Sequence, residues 1–317
     1  AYAGWYNPSI NASNTLQIDY IQIDRLKPLQ NQSVVCENGS VSSDVSGLVY
    51  SWYVNGEIAV GENGSTLNAS VFNEGNRVDC GVLAQNGSNL LAYWGFDNPI
   101  GGQSFELVNN LTMSIENSPT QVTHFNFSAI QYDGVDQYLS NATSMEKLIP
   151  RDELTVVGWI KPNNLGHTGG IICKEGDWAV RFKSAKVGFL SAFASTPFNE
   201  RVLSTPSPST NWYHFGAVYN GSDALIYIDG ELHDQQSGFS GAINNSGGAL
   251  NIGTCTLTSQ YFNGSIDNIG VYNRSFSAAE IIDSYNNGVL KLSRRALKIE
   301  TDQAQFNNGT KVKISSL

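Results

Sequence analysis

YFNGSIDNIGVYNRSFSAAEIIDSYNNG, residues 261–288, decides the fold. Its first half alternates as a half-buried strand does. Ile266, Asn268 and Gly270 fall on one face, with Asp267, Ile269 and Val271 on the other. Its second half reads as a short helix punctuated at both ends. Ser277 and Glu280 form a capping box, Ile281, Ile282 and Tyr285 make one apolar stripe, and Gly288 stands at the C′ position.

From Gly264 to Ile281 this stretch resembles the closing segment of the LamG-like (concanavalin A-like, laminin G type 3) jelly roll, G-x-I-D-x-x-x-x-Y-N-R-x-L-S-x-x-E-I. Phe276 replaces the usual Leu. Stretches further upstream carry the same resemblance in the family's order: LLAYWGFDN, AIQYDGVDQYLSN, LTVVGWIKP, IICKEGDWAVRF, NWYHFGAVYNG and ALIYIDGEL. In AIQYDGVDQYLSN, Asp133-Gly134 is expected at a hairpin turn. The resemblance implies two antiparallel sheets packed face to face over residues 90–288. It is specific for a fold, and that fold carries many functions.

Residues 15–89 read as short strands separated by turns, with Asn55-Gly56 a strong hairpin signal. Cys36, Trp52 and Cys80 follow one another as in immunoglobulin-like sandwiches. The region resembles the small modules that precede LamG-like domains in archaeal surface proteins, where such modules serve as spacers. Residues 1–14 show no sustained period and read as an arm. The fold class is therefore all-β, an Ig-like sandwich followed by a jelly roll.

The chain has 317 residues, 41% of them hydrophobic and 15% charged, enough apolar content for real cores. No apolar run reaches membrane-spanning length. Asn-x-Ser/Thr begins at Asn11, Asn31, Asn38, Asn63, Asn68, Asn86, Asn110, Asn126, Asn141, Asn220, Asn244, Asn263, Asn273 and Asn308. Chance would supply about five. That excess, an opening Ala in place of Met, and four cysteines are the expectation for a secreted glycoprotein whose leader has been removed. Four cysteines allow three pairings. If each sandwich closes by itself, the pairs are Cys36–Cys80 and Cys173–Cys255.

Net charge is −10, which argues against nucleic acid and anionic membrane as partners. Residues 289–317 are the exception, with six basic residues against two acidic ones for a net +4, so the remainder carries −14. The same segment places Leu290 with Leu292, Leu297 with Ile299, and Val312 with Ile314 at strand period. Amphipathic strands beyond a finished jelly roll need a partner, in the chain's own Ig-like domain or in the next copy. A head-to-tail contact with the next copy makes a filament.

Enzymes of the laminarinase type share the resembled fold, and they carry an E-x-D-x-x-E or E-x-D-x-E run on one strand. This sequence has none. Its nearest clusters, Lys174-Glu175-Gly176-Asp177 and Arg151-Asp152-Glu153, have the wrong spacing. The four histidines show no metal-ligand spacing. The expectation is a non-enzyme that requires no cofactor. The resemblance also implies a structural calcium between Asp97 and Asp267 as a candidate. Trp178, Tyr213, Tyr219, Tyr227 and Tyr261 are candidate sugar-stacking rings by residue type. The leading expectation is an extracellular structural glycoprotein that assembles with copies of itself. The alternative is a monomeric, lectin-like glycan binder.

Overall fold

The computed structural model describes residues 33–37, 47–55, 57–59, 62, 64–73, 76, 78–85, 89–96, 103–105, 112–124, 127–141, 152–193, 196–204, 209–255, 260–293 and 312–313. The arm at residues 1–14, Asp97, Leu297, Ile299 and Ile314 lie outside them, as do the sequons at Asn11, Asn31, Asn38, Asn63, Asn86, Asn110, Asn126 and Asn308.

In chain order the strands are β1 (Val34–Glu37), β2 (Gly47–Val54), β3 (Glu57–Ile58), β4 (Thr66–Leu67), β5 (Val78–Gln85), β6 (Leu90–Trp94), β7 (Gln103–Phe105) and β8 (Thr112–Glu116). They continue with β9 (Thr120–His124), β10 (Phe127–Asp133), β11 (Tyr138–Asn141), β12 (Leu154–Pro162), β13 (Thr168–Lys174), β14 (Trp178–Lys183) and β15 (Lys186–Phe193). Then come β16 (Thr196–Leu203), β17 (Tyr213–Tyr219), β18 (Asp223–Ile228), β19 (Glu231–Ser237), β20 (Leu250–Ile252), β21 (Asn263–Tyr272), helix α1 (Ala278–Ser293) and β22 (Val312–Lys313). The chain divides into two units, Ala1–Ser88 with Leu290–Leu317, and Asn89–Val289.

The first unit holds two three-stranded sheets, β22-β1-β4 and β3-β2-β5. Asn55 sits at φ 55° in the turn that sets Val54 opposite Glu57, the left-handed geometry that Asn-Gly favours. Trp52 is buried and donates Nε1–H to the Gly64 carbonyl at 2.8 Å. Its register partner across β2 and β5 is Cys80, while Cys36 lies on β1 of the other sheet. The tail strand β22 runs parallel to β1, with Val312 opposite Cys36.

The second unit is a sandwich of two eight-stranded sheets. Sheet A runs β19-β18-β17-β12-β21-β10-β9, with β6 also on β21, and sheet B runs β16-β15-β14-β13-β20-β11-β8-β7. Each contributes an inner row to one core: Trp94, Ile160, Phe215 and Ile266 from sheet A, and Trp178, Phe182, Phe189 and Ile252 from sheet B. Asp133-Gly134 makes a sharp turn, with Gly134 at φ 79°, but it is not a hairpin. β10 belongs to sheet A and β11 to sheet B, so the turn carries the chain between layers.

The segment that decides the fold departs from strict alternation. Asn268 takes a left-handed φ of 51°, and the register against β12 slips by one residue there. This β-bulge brings Ile269 and Val271 into the core beside Ile266, while Asp267 remains on the outer face. Helix α1 begins as its capping box requires. The Ser277 amide donates to Glu280 Oε2 at 2.8 Å, and the Glu280 amide to Ser277 Oγ at 3.3 Å. Ile281 is fully buried on the outer face of sheet A with Val157, Val218 and Phe276. Ile282 stays 44% exposed and drops out of the expected stripe.

The helix does not stop at Gly288. It continues to Ser293, so Leu290 and Leu292 are helical and not in a strand. Interior glycine costs a helix only about 1 kcal/mol, and Val289, Leu290, Lys291 and Leu292 are all compatible with one.

Candidate ligand-binding site

The bulge that turns Asp267 outward also sets it against His124 and the Asn268 amide. Oδ1 accepts the Asn268 amide at 2.8 Å, and Oδ2 lies 2.5 Å from Nδ1 of His124 at the end of β9. Both side chains are excluded from water, at 1% and 2% exposure. Burial, with the Lys161 charge adding to it, pushes the His124 pKa down to about 3. The imidazole is therefore neutral, and Nδ1 and Oδ2 share one hydrogen bond.

Trp212 lies flat on this anchored imidazole, with ring centroids 3.7 Å apart and planes 20° apart. Beneath them Trp159 of β12 tilts against His124 at 5.8 Å and meets the edge of His214 at 5.5 Å. Tyr285 of α1 stacks on Trp159 at 5.8 Å. His214 Nε2 is 3.1 Å from Ser284 Oγ, and burial alone lowers the pKa of His214 to about 3. Trp159 and the two histidines are buried, whereas Trp212 and Tyr285 are only partly so. A continuous array of rings thus crosses the outer face of sheet A and surfaces at its two ends.

Rings chosen by residue type fare differently. Trp178, Tyr213, Tyr219 and Tyr227 are buried and cannot stack on a sugar. Trp178, Tyr213 and Tyr219 point into the inter-sheet core, and Tyr227 lies under α1. Tyr261 alone is partly exposed, 6.0 Å from the Tyr138 ring. Trp212 is not among the residues that the sequence marks, and Tyr285 is marked only as part of the helix's apolar stripe. Trp212 lies just before β17 and Tyr285 on a helix that looks merely amphipathic, so only tertiary packing brings them together.

The remaining candidates have local roles or none described. Of the pair expected to hold calcium, Asp97 lies outside the described residues, and Asp267 meets His124 through Oδ2 and the Asn268 amide through Oδ1. Among the described residues no group of three His, Cys, Asp or Glu could hold a metal. Lys174 is buried, ion-paired with Asp177 at 3.5 Å and bonded to the Gly248 carbonyl, and Asp177 Oδ1 accepts the Ser246 amide at 2.7 Å. Glu153 accepts the Ser275 amide at 2.9 Å. These carboxylates hold loops in place. Cys173 and Cys255 are neighbouring buried thiols. Of the described sequons, Asn68, Asn220, Asn244 and Asn273 are exposed, while Asn141 and Asn263 are half-buried.

Comparison with known proteins agrees with this architecture. Residues 133–282 match the family described as Concanavalin A-like lectin/glucanases superfamily, Laminin_G_3, which supports a jelly roll of that type in the second unit. Among solved structures, the binding domain of Paraclostridial Mosquitocidal Protein 1 is similar at 14% identity and a TM-score of 0.51, covering 63% of this chain and 52% of that one. The botulinum neurotoxin type G receptor-binding domain is similar at 15% identity and a TM-score of 0.50, covering 63% and 51%. The chain thus spans about half the length of these toxin domains. Domain 4 of AbnA, a GH43 extracellular arabinanase from Geobacillus stearothermophilus, solved with arabinotriose, is similar at 16% identity and a TM-score of 0.50, covering 61% and 97%. No curated protein matches the chain. Identities this low show the fold. Among the described residues no helix is long and apolar enough to cross a membrane.

Proposed function

We propose that this chain is an extracellular glycoprotein whose jelly roll binds carbohydrate, with the first unit as an Ig-like spacer. One observation carries the reading. Trp212 is partly exposed and laid flat on His124, which is held in turn by buried Asp267. Sugars present a face of C–H groups, and a ring that is already immobile binds them with little ordering cost. The sequon excess supports the extracellular setting, and the fold's likeness to a toxin binding domain, a neurotoxin receptor-binding domain and an arabinanase domain solved with arabinotriose supports a binding role. No catalytic step is assigned to the His124–Asp267 pair, because the imidazole carries Trp212 and both partners are shut off from water.

The test is calorimetric titration of the full chain with a panel of neutral oligosaccharides, arabino- and gluco-oligosaccharides among them. Binding that disappears in Trp212→Ala without a change in melting temperature supports the site. Equal binding by that variant overturns it. Release of reducing sugar by the intact protein would overturn the non-enzymatic reading.

Self-assembly rests on the tail. Among the described residues its strand β22 already has a partner, β1 of its own unit, so no neighbouring copy is required. Binding therefore stands ahead of filament formation. Polymers in negative-stain images of the full chain, absent when the chain ends at Ser293, would reverse that order.

A further inference from the structure

Sheet B contains a feature that the binding reading does not use. β13 carries Gly169-Gly170 directly after its first residue, and the two ends of the segment from Gly253 to Phe262 lie directly on that backbone. A Cβ at Gly169 would sit 2.5 Å from the Phe262 Cα and the Tyr261 carbonyl oxygen. One at Gly170 would sit 2.3 Å from the Cys255 nitrogen and the Thr254 carbonyl carbon. The ends are tied down by backbone bonds from Gly170 N to Gln260 O at 2.9 Å, Phe262 N to Gly253 O at 2.8 Å, and Gly253 N to Ile171 O at 2.9 Å. Thr254 bridges Tyr261.

Cys255 stands at this junction and Cys173 on the strand beneath it. They share a small buried cluster with Ala179 and Leu190, at 7% and 1% exposure. The Cys173 thiol points to the Cys255 carbonyl at 3.6 Å. Two thiols 82 residues apart thus meet in an apolar pocket where neither could act on a solvent-borne substrate.

We propose that Cys173 and Cys255 are joined as a disulfide clasp that pins the 253–262 segment to β13. The clasp fixes Tyr261 beside Tyr138 on sheet B. The oxidant is a low-molecular-weight disulfide, and the reaction occurs while the strands are assembling. One cysteine thiolate attacks a sulfur of R–S–S–R, forming a mixed disulfide and releasing one R–S⁻. The second thiolate attacks the protein sulfur of that mixed disulfide and expels the other R–S⁻. The leaving thiolates take up the two protons given up by the cysteines, so two R–SH are produced per clasp.

The full chain, refolded in mixed reduced and oxidised glutathione, tests this. After denaturation and alkylation without reductant, the peptides containing Cys173 and Cys255 should appear as one linked species, two hydrogens lighter than the free pair. Alkylation of both residues, or a link from either to Cys36 or Cys80, overturns the proposal. Limited proteolysis of the Cys173→Ser/Cys255→Ser variant should cleave between Cys255 and Gln260 at least several-fold faster than in the oxidised protein. Equal cleavage rates would overturn the clasp's role even where the bond forms. The peptide map of the unaltered chain decides the bond itself if the variant does not fold.

Discussion

His124 and Asp267, 143 residues apart in sequence, meet through a 2.5 Å contact between Nδ1 and Oδ2, with only 2% and 1% of their side chains exposed. The pair joins the end of one edge strand to the bulge of a central one. Trp212 is laid over the result.

Acid should loosen this arrangement before most carboxylates titrate. His124 and His214 are held neutral to about pH 3 in the fold, whereas an unfolded histidine titrates near 6.5. The unfolded chain therefore binds more protons between those values. Stability is fully present above about pH 6.5 and is lost as pH falls toward 3. Each histidine adds a slope of about 1.4 kcal/mol per pH unit. Urea midpoints at pH 7, 6 and 5 measure it, and His214→Gln should remove one proton's share. An unchanged slope would contradict the burial argument.

Asp177→Ala should destabilise the jelly roll by about 3–5 kcal/mol, because Lys174 is left charged and buried without its partner. Combining Lys174→Met with Asp177→Asn should recover part of the loss, since the amide oxygen still accepts from Ser246. Denaturant titration of the three proteins gives the comparison. A loss below about 1 kcal/mol for Asp177→Ala would show that water reaches the ammonium.

The β14–β15 turn is strained. Ser184 and Ala185 occupy φ 50° and 65° without a glycine. Ala185→Gly is expected to leave the stability unchanged or raise it by about 0.5–1 kcal/mol, since strain relief opposes the greater freedom of the unfolded glycine. Destabilisation beyond about 1 kcal/mol would mean that the Ala185 methyl has packing value.

Glycan occupancy should follow side-chain geometry. Asn68, Asn244 and Asn273 are exposed and are expected to carry glycans in protein from its native source. Asn141 should not, because its Nδ2 donates to the Thr112 carbonyl at 2.6 Å and a sugar there would crowd that strand. Enzymatic deglycosylation in heavy-oxygen water, followed by peptide mapping, reads each site. A modified Asn141 would be the contrary result.

Local chemistry was legible where it acts within a few residues. The Ser277/Glu280 cap and the Asn55 turn form as their residues dictate, and the quoted strands pair in two sheets. Asp133-Gly134 was misleading because a turn signal states that the chain reverses, not which sheet receives it. Strict alternation could not reveal the Asn268 bulge, whose signature is one asparagine in a left-handed conformation. The candidate site was the least legible part. Its rings come from β9, β12, β17 with the residue before it, and α1, and no spacing within one segment encodes their meeting.

The parallel pairing of β22 with β1 carries a consequence for biosynthesis. The jelly roll is one continuous stretch, Asn89–Val289, and can fold as soon as that stretch has been made. The first unit cannot be completed so early. Val34–Glu37 leave the ribosome early, yet their parallel neighbour at Val312–Lys313 is translated long afterwards. The first unit must therefore wait with an unpaired strand edge while the later-encoded domain matures, a vectorial order opposite to the usual N-terminal-first sequence. Its completion is the step most exposed to mispairing.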